Sequence, residues 1–377
     1  MNYNFLLAAA LLTGCAQIET KLEAVKNKVN FESPVQKTDN FVVRWAKDLD
    51  PVYSTGNFPI GTSSPFIFED LVYMGNLRGE MVVYDIESGR VVWQQKENGS
   101  IQSQANKMGE TVYYGTKEGR LIARHYYSGK LKYSVDLGSP IESQPQFMNG
   151  RVVLHLRNHS IVVLDARTGK VFWRYKRSVP FATTLQRVSA VEPHEGAMLV
   201  GFADGNVALL SLEEGVIKWE QKISTGVKFV DVDVKPTKVK DYIVAGSATG
   251  PMRFLNPING VIEKTVELNQ SSLPYLEDDS FLVGATDGKI HRVSNQGKIL
   301  NSVPVSDDAI SSIASWKRGI VVTTMGSGVY YMDPVSLRIL DKFELGSDQS
   351  AVFGQAMVSE DGILAIYSSR NRLYVFR

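Results

Sequence analysis

The sequence predicts an all-β protein, an eight-bladed β-propeller built from four-stranded antiparallel blades, and three observations carry that prediction. A unit of about forty residues recurs, clearest where Asp85-Ile86-Glu87-Ser88-Gly89-Arg90-Val91-Val92-Trp93 is restated as Asp165-Ala166-Arg167-Thr168-Gly169-Lys170-Val171-Phe172-Trp173. Each copy holds short apolar runs bounded by turn formers, with no long run at helical period. Glycine-containing tight turns separate the runs, so they read as hairpins and not as crossovers.

The turn glycine marks the copies at Gly89, Gly129, Gly169, Gly215, Gly260 and Gly297, with Leu337 in its place in a seventh, at spacings of 40, 40, 46, 45, 37 and 40. Upstream of each marker lie two apolar runs, such as 71–74 and 81–84, or 281–284 and 289–293. Between them, Glu118-Gly119, Asp204-Gly205 and Asp287-Gly288 supply the positive φ that tight hairpins demand. A further stretch precedes each pair and another follows each marker, which makes four strands per unit. A linear array of such units would expose long sheet edges, whereas a ring protects them. Innermost strands counted from Gly61, Ile101, Ile141, Ala182, Val227, Gln270, Ile310 and Phe353 give eight blades. The last unit lacks an outermost strand after 373–376, and Phe41-Val42-Val43-Arg44-Trp45 is expected to fill that place and close the ring.

Residues 41–377 allow about 42 per blade, a size at which roughly three quarters of the unfolded surface is buried on folding. A formal net charge of +1 with 21% charged residues offers no global attraction to nucleic acid. The start of the chain is of a different kind: an apolar run at 5–12, too short to span a bilayer, leads into Leu12-Thr13-Gly14-Cys15. That pattern resembles a bacterial lipobox, although Met1 to Asn4 carry no Lys or Arg. The expected organisation is a signal peptide at 1–14, a lipidated Cys15 with a periplasmic tether at 15–40, and the propeller at 41–377. Cys15 is the only cysteine, and several acyl chains on it would make a durable membrane anchor. Ile18, Leu22, Val25 and Val29 lie at helical spacing within a charged stretch, read as disordered or as a fraying helix.

Few residues qualify for chemistry. The adjacent carboxylates Asp278-Asp279 and Asp307-Asp308 fall in predicted turns, where solvated pairs are the plainer reading than calcium ligands. The histidines at 125, 155, 159, 194 and 291 are scattered; His155 and His159 have i, i+4 spacing, but 152–163 reads as a hairpin with Asn158-His159 as its turn. No nucleophile, base or paired-carboxylate arrangement stands out. We therefore expect no catalytic residue, no metal and no cofactor. Small polar residues recur on the innermost strands, at Ser63-Ser64, Ser103-Gln104, Ser143-Gln144, Thr183-Thr184, Ser271-Ser272 and Ser311-Ser312. They are expected beside a water-filled central channel.

The signature Asp-x-x-Thr-Gly-Lys-x-x-Trp resembles the tryptophan-docking repeat of the pyrroloquinoline-quinone propellers. The resemblance implies that Trp45, Trp93, Trp173 and Trp219 with Gly89 and Gly169 dock neighbouring blades, while Asp85 and Asp165 tie down the turn. Quinone dehydrogenases of that class commonly hold an adjacent-cysteine disulfide and long blade insertions, and this chain has one cysteine and minimal loops. Lipobox, short tether and eight minimal blades together resemble the propeller lipoproteins of the outer-membrane β-barrel assembly machine. That likeness implies a non-catalytic scaffold, lipid-anchored at the periplasmic face of the outer membrane. It would dock on the POTRA repeats of the barrel-forming subunit and serve unfolded outer-membrane proteins. The docking residues it implies are Leu185 and Arg187 in one loop and Asp231 and Asp233 one blade later, with Phe181 or Phe229 as an apolar anchor. A propeller enzyme or sensor that binds a quinone or sugar in the channel is the alternative.

Overall fold

The computed structural model describes residues 38–49, 60–179, 188–226, 229–346 and 350–377. These form eight four-stranded antiparallel sheets arranged as an eight-bladed propeller. Blade 1 is typical, running Phe66–Phe68, Leu71–Gly75, Glu80–Asp85 and Val91–Lys96 from the innermost strand outward. Its two middle strands are buried on both faces, as flat blades stacked side by side require, so they read as continuous apolar runs and not as alternation.

The core lies between blades. Tyr73, Val83 and Trp93 of blade 1 share a cluster with Val112, Tyr114 and Ile122 of blade 2, and Val153 and Val163 of blade 3 share one with Met198 and Leu210 of blade 4. Blade 8 joins Met357–Val358, Leu364–Tyr367 and Arg372–Phe376 to the N-terminal strand Val43–Asp48, which pairs with Arg372–Phe376 through Trp45↔Val375 and Lys47↔Leu373. The strand sits two residues later than the sequence places it. Phe41 lies outside the ladder because its ring is drawn into an aromatic cluster, 5.2 Å from Trp316 and 5.5 Å from Phe376.

Most innermost strands are shorter than the sequence suggests, whereas that of blade 7 runs in full over Ile310–Trp316. Of the run 101–108 only Asn106–Met108 lies in the ladder, and the preceding residues bond across to the neighbouring blade, Ile101 N–H to Asn76 O at 3.0 Å. The predicted starts at Ala182 and Val227 lie outside the described residues; in those blades the inner ladder strands are Glu192–His194 and Thr237–Val239. Close approach near the axis needs a missing side chain at the end of the second strand. A Cβ at Gly75, Gly115 or Gly284 would strike Ile101, Ile141 or Ile310 of the next blade.

Candidate functional site

Five consecutive joints between blades are made the same way. The outermost strand of one blade lays an aromatic ring on the turn glycine of the next, where a methyl group on Gly89 or Gly129 would stand 2.8 Å from Trp45 or Trp93. The indole N–H then donates to the carbonyl one residue after the turn's first position: Trp45 to Ile86, Trp93 to Tyr126, Trp173 to Leu212 and Trp219 to Pro257, at 2.8–3.0 Å. In the third of these joints Tyr133 replaces the tryptophan, packs on Gly169 and donates its hydroxyl to Ala166 O at 2.8 Å. Asp85 accepts from the Ser88 hydroxyl and N–H, and Asp165 does the same with Thr168. These side-chain hydrogen bonds are the main reason that both carboxyls ionise below their usual range.

Along the axis the innermost segments alternate. Ile101, Ser103 and Ala105 are buried in the joint while Gln102 and Gln104 are half-exposed, and Ile141, Ser143 and Pro145 alternate with Glu142 and Gln144 in the same way. The second set lines an axial cavity of about 220 Å³ to which all eight blades contribute. This refines the expectation for the serines, because Ser103 and Ser143 are clasps: their hydroxyls donate to Gly115 O at 3.2 Å and His155 O at 2.8 Å. The glutamines between them face the channel. Thr183-Thr184 lie outside the described residues.

The blade 5 segment follows the same alternation, and this places the predicted docking carboxylates. Val232 and Val234 are buried in the joint, and Asp233 and Lys235 line the channel. Asp231 is fully buried, so it is not part of the exposed charged patch that the Asp-Val-Asp pattern suggests. Both carboxylates are engaged within the chain, as burial of charge requires. The exposed member of the segment is Phe229, 43% accessible, with φ of 58°. A bulky residue in the left-handed region is strained, and the Thr249 hydroxyl, donating to Phe229 O, holds it there. Lys235 is paired with Glu192 of blade 4 at 2.5 Å. Leu185, Arg187 and Phe181 lie outside the described residues, as does Cys15.

His155 occupies the place that is glycine in blades 1, 2 and 6. Its ring fills the joint to blade 4, where Nδ1–H donates to Ser189 O at 3.0 Å. Burial pushes its pKa down to about 3 and the neighbouring His159 adds to the effect, so the imidazole is neutral. His159 sits in the predicted hairpin turn with φ of 59°. Asp278-Asp279 and Asp307-Asp308 lie at bends. Among the described residues no three His, Cys, Asp or Glu side chains gather as a metal site would need. Sequence reasoning missed Gln102, Glu142 and Lys235 as channel residues; the signal was the period-two alternation itself, since every second residue of an axial strand must face the channel.

The family described as "Outer membrane protein assembly factor BamB" matches residues 78–298, more than half of the chain. The chain belongs to this family. Outer membrane protein assembly factor BamB of Yersinia pestis is 24% identical over 322 residues, covering 78% of this chain and 76% of the relative. BamB of Shewanella oneidensis is 22% identical over 383 aligned positions, covering 95% and 93%. Among solved structures, BamB from Moraxella catarrhalis superimposes with a TM-score of 0.75 at 19% identity, covering 89% of this chain and 99% of that one. The computationally designed Ika8 protein gives 0.69 at 18%, covering 85% and 97%. At such identities the structural likeness speaks to the propeller fold, and the BamB family assignment rests on the sequence match.

Proposed function

We propose that this protein is a non-catalytic scaffold of outer-membrane protein assembly, tethered to the membrane through Cys15 and docked on the POTRA repeats of the barrel-forming subunit. The observation that carries the reading is membership of the BamB family. The docking element is the blade 5 segment, where the strained, exposed Phe229 supplies an apolar anchor and Asp233 with Lys235 supplies charge for orientation. Asp231 acts by holding the segment from within. Leu185 and Arg187, outside the described residues, are the further docking residues of this reading.

Client strands have a place to add at the outer rim. In seven blades the outermost pairing carries a bulge beside the turn. In blade 1 it turns both Val91 and Val92 outward, and Phe172, Leu300 and Leu340 are exposed at matching positions. Apolar residues on a free sheet edge favour pairing with an extended chain.

Phe229→Ala and Asp233→Lys should each reduce co-purification of the barrel-forming subunit while the far-ultraviolet spectrum stays unchanged; undiminished association with both would remove this segment from the interface. Asp231→Lys is a poor probe, because a buried lysine would perturb the blade itself. Cys15→Ser should release the protein from the membrane fraction, and retention would exclude lipidation as the anchor.

A further inference from the structure

The channel is not symmetric, although eight equivalent segments build it. Blades 2 and 3 present Gln102, Gln104, Glu142 and Gln144, whereas blades 6 to 8 present Leu273, Met325 and Phe353 along with Ser271, Ser311 and Gln355. In an eight-membered ring blade 2 stands opposite blade 6 and blade 3 opposite blade 7, so amides and a carboxylate confront Leu273 and Met325, with the aromatic ring of Phe353 beside them on blade 8. The polar wall is held in place. Gln104 Nε2 donates to Pro65 O at 2.9 Å and Gln144 Nε2 to Ala105 O at 3.3 Å, each reaching back to the preceding blade. Gln144 Oε1 accepts from Gln146 at 2.9 Å, and Glu142 is fixed by Arg157 at 3.0 Å.

A channel meant only for water gains nothing from the side chains of Leu273, Met325 and Phe353. Fixed amides and a carboxylate offer both donors and acceptors to hydroxyl groups, and an aromatic face with aliphatic neighbours suits a patch of C–H bonds. The volume, about 220 Å³, corresponds to roughly seven waters at about 30 Å³ each. It lies below the roughly 300–1,000 Å³ of sites for drug-sized ligands. We infer that the axial cavity binds one polyhydroxylated six-membered ring, of the sugar or cyclitol class. The ring lies with its C–H face on Phe353, Leu273 and Met325 and its hydroxyls toward Gln102, Gln104, Gln144 and Glu142. The proposed ring contacts come from blades 2, 3 and 6 to 8, whereas Asp233 and Lys235 of the docking segment line another part of the same cavity; the variants below leave both of them and Phe229 in place.

The test is ligand-observed saturation-transfer NMR with isothermal titration on the full chain in detergent, using D-glucose, N-acetyl-D-glucosamine and myo-inositol as probes. Chitotriose serves as a fourth arm, to distinguish a free ring from the end of a glycan. At least one probe should bind with a Kd in the millimolar range or tighter. Gln102→Leu, which leaves every joint clasp intact, should weaken it roughly tenfold, and Phe353→Ala by a similar factor. Binding of chitotriose alone would assign the site to a glycan end, within the same chemistry. Absence of binding by all four probes, or binding unchanged in both folded variants, would overturn the proposal. Partner co-purification is unaffected in either case, so failure here and failure of the docking reading are separately visible.

Discussion

At the residue scale, the molecule is held by rings laid on glycines. Trp93 is 7% exposed, donates to Tyr126 O and covers Gly129, so removing it leaves a cavity in a joint and an unmet carbonyl. Trp93→Ala should cost about 3–5 kcal/mol, read as a lowered urea midpoint; a change below about 1 kcal/mol would mean that the joint collapses around the gap. His155 gives a pH dependence of definite sign. Its pKa is about 3 in the folded protein against about 6.5 in the unfolded chain, so below pH 6.5 the unfolded chain takes up a proton that the folded one refuses. The contribution is complete above pH 6.5 and is lost as the pH falls toward 3. Burial shifts His159, His194 and His291 the same way. The thermal midpoint should therefore fall between pH 7 and pH 4, and His155→Gln should make that fall shallower. An identical slope in the variant would remove His155 from the account.

At the scale of elements, the N-terminal strand Val43–Asp48 makes blade 8 whole. Phe41 beside it is 2% exposed and anchors the aromatic cluster of Trp316, Phe343 and Phe376. Phe41→Ala should loosen this seam first, by about 3–5 kcal/mol, seen as faster amide exchange in Val43–Asp48 and Arg372–Phe376 while blades 2 to 4 stay protected. Uniform loss of protection would show that the ring opens as one unit. Strands and turns were legible in the sequence because their causes are local. Apolar runs five residues long and Asp-Gly or Glu-Gly turns need no tertiary context, and the Asp85 and Asp165 turns bond within themselves. What was not legible depends on the ring. Whether a polar residue at period two enters the joint or the channel is set by where the axial segment leaves its ladder, so Ser103 and Gln104 looked alike and part ways in the structure. The same ambiguity hid the burial of Asp231, whose Asp-Val-Asp pattern fits an exposed edge as well as an axial segment. His155 was legible as part of a hairpin and not of a metal pair, but its role as a joint filler in the place of a glycine was not.

At the scale of the whole molecule, the described residues of the eight blades offer three surfaces on which to act: the channel, the segment around Phe229 and the outer edges. Membership of the BamB family directs attention to partners before chemistry. The most direct test is affinity purification of the full chain from detergent-solubilised envelope, with identification of whatever is retained. The account predicts the barrel-forming subunit in comparable amount, recovered from the wild-type chain and lost with Phe229→Ala and Asp233→Lys combined. Recovery of the folded protein without that subunit would contradict it.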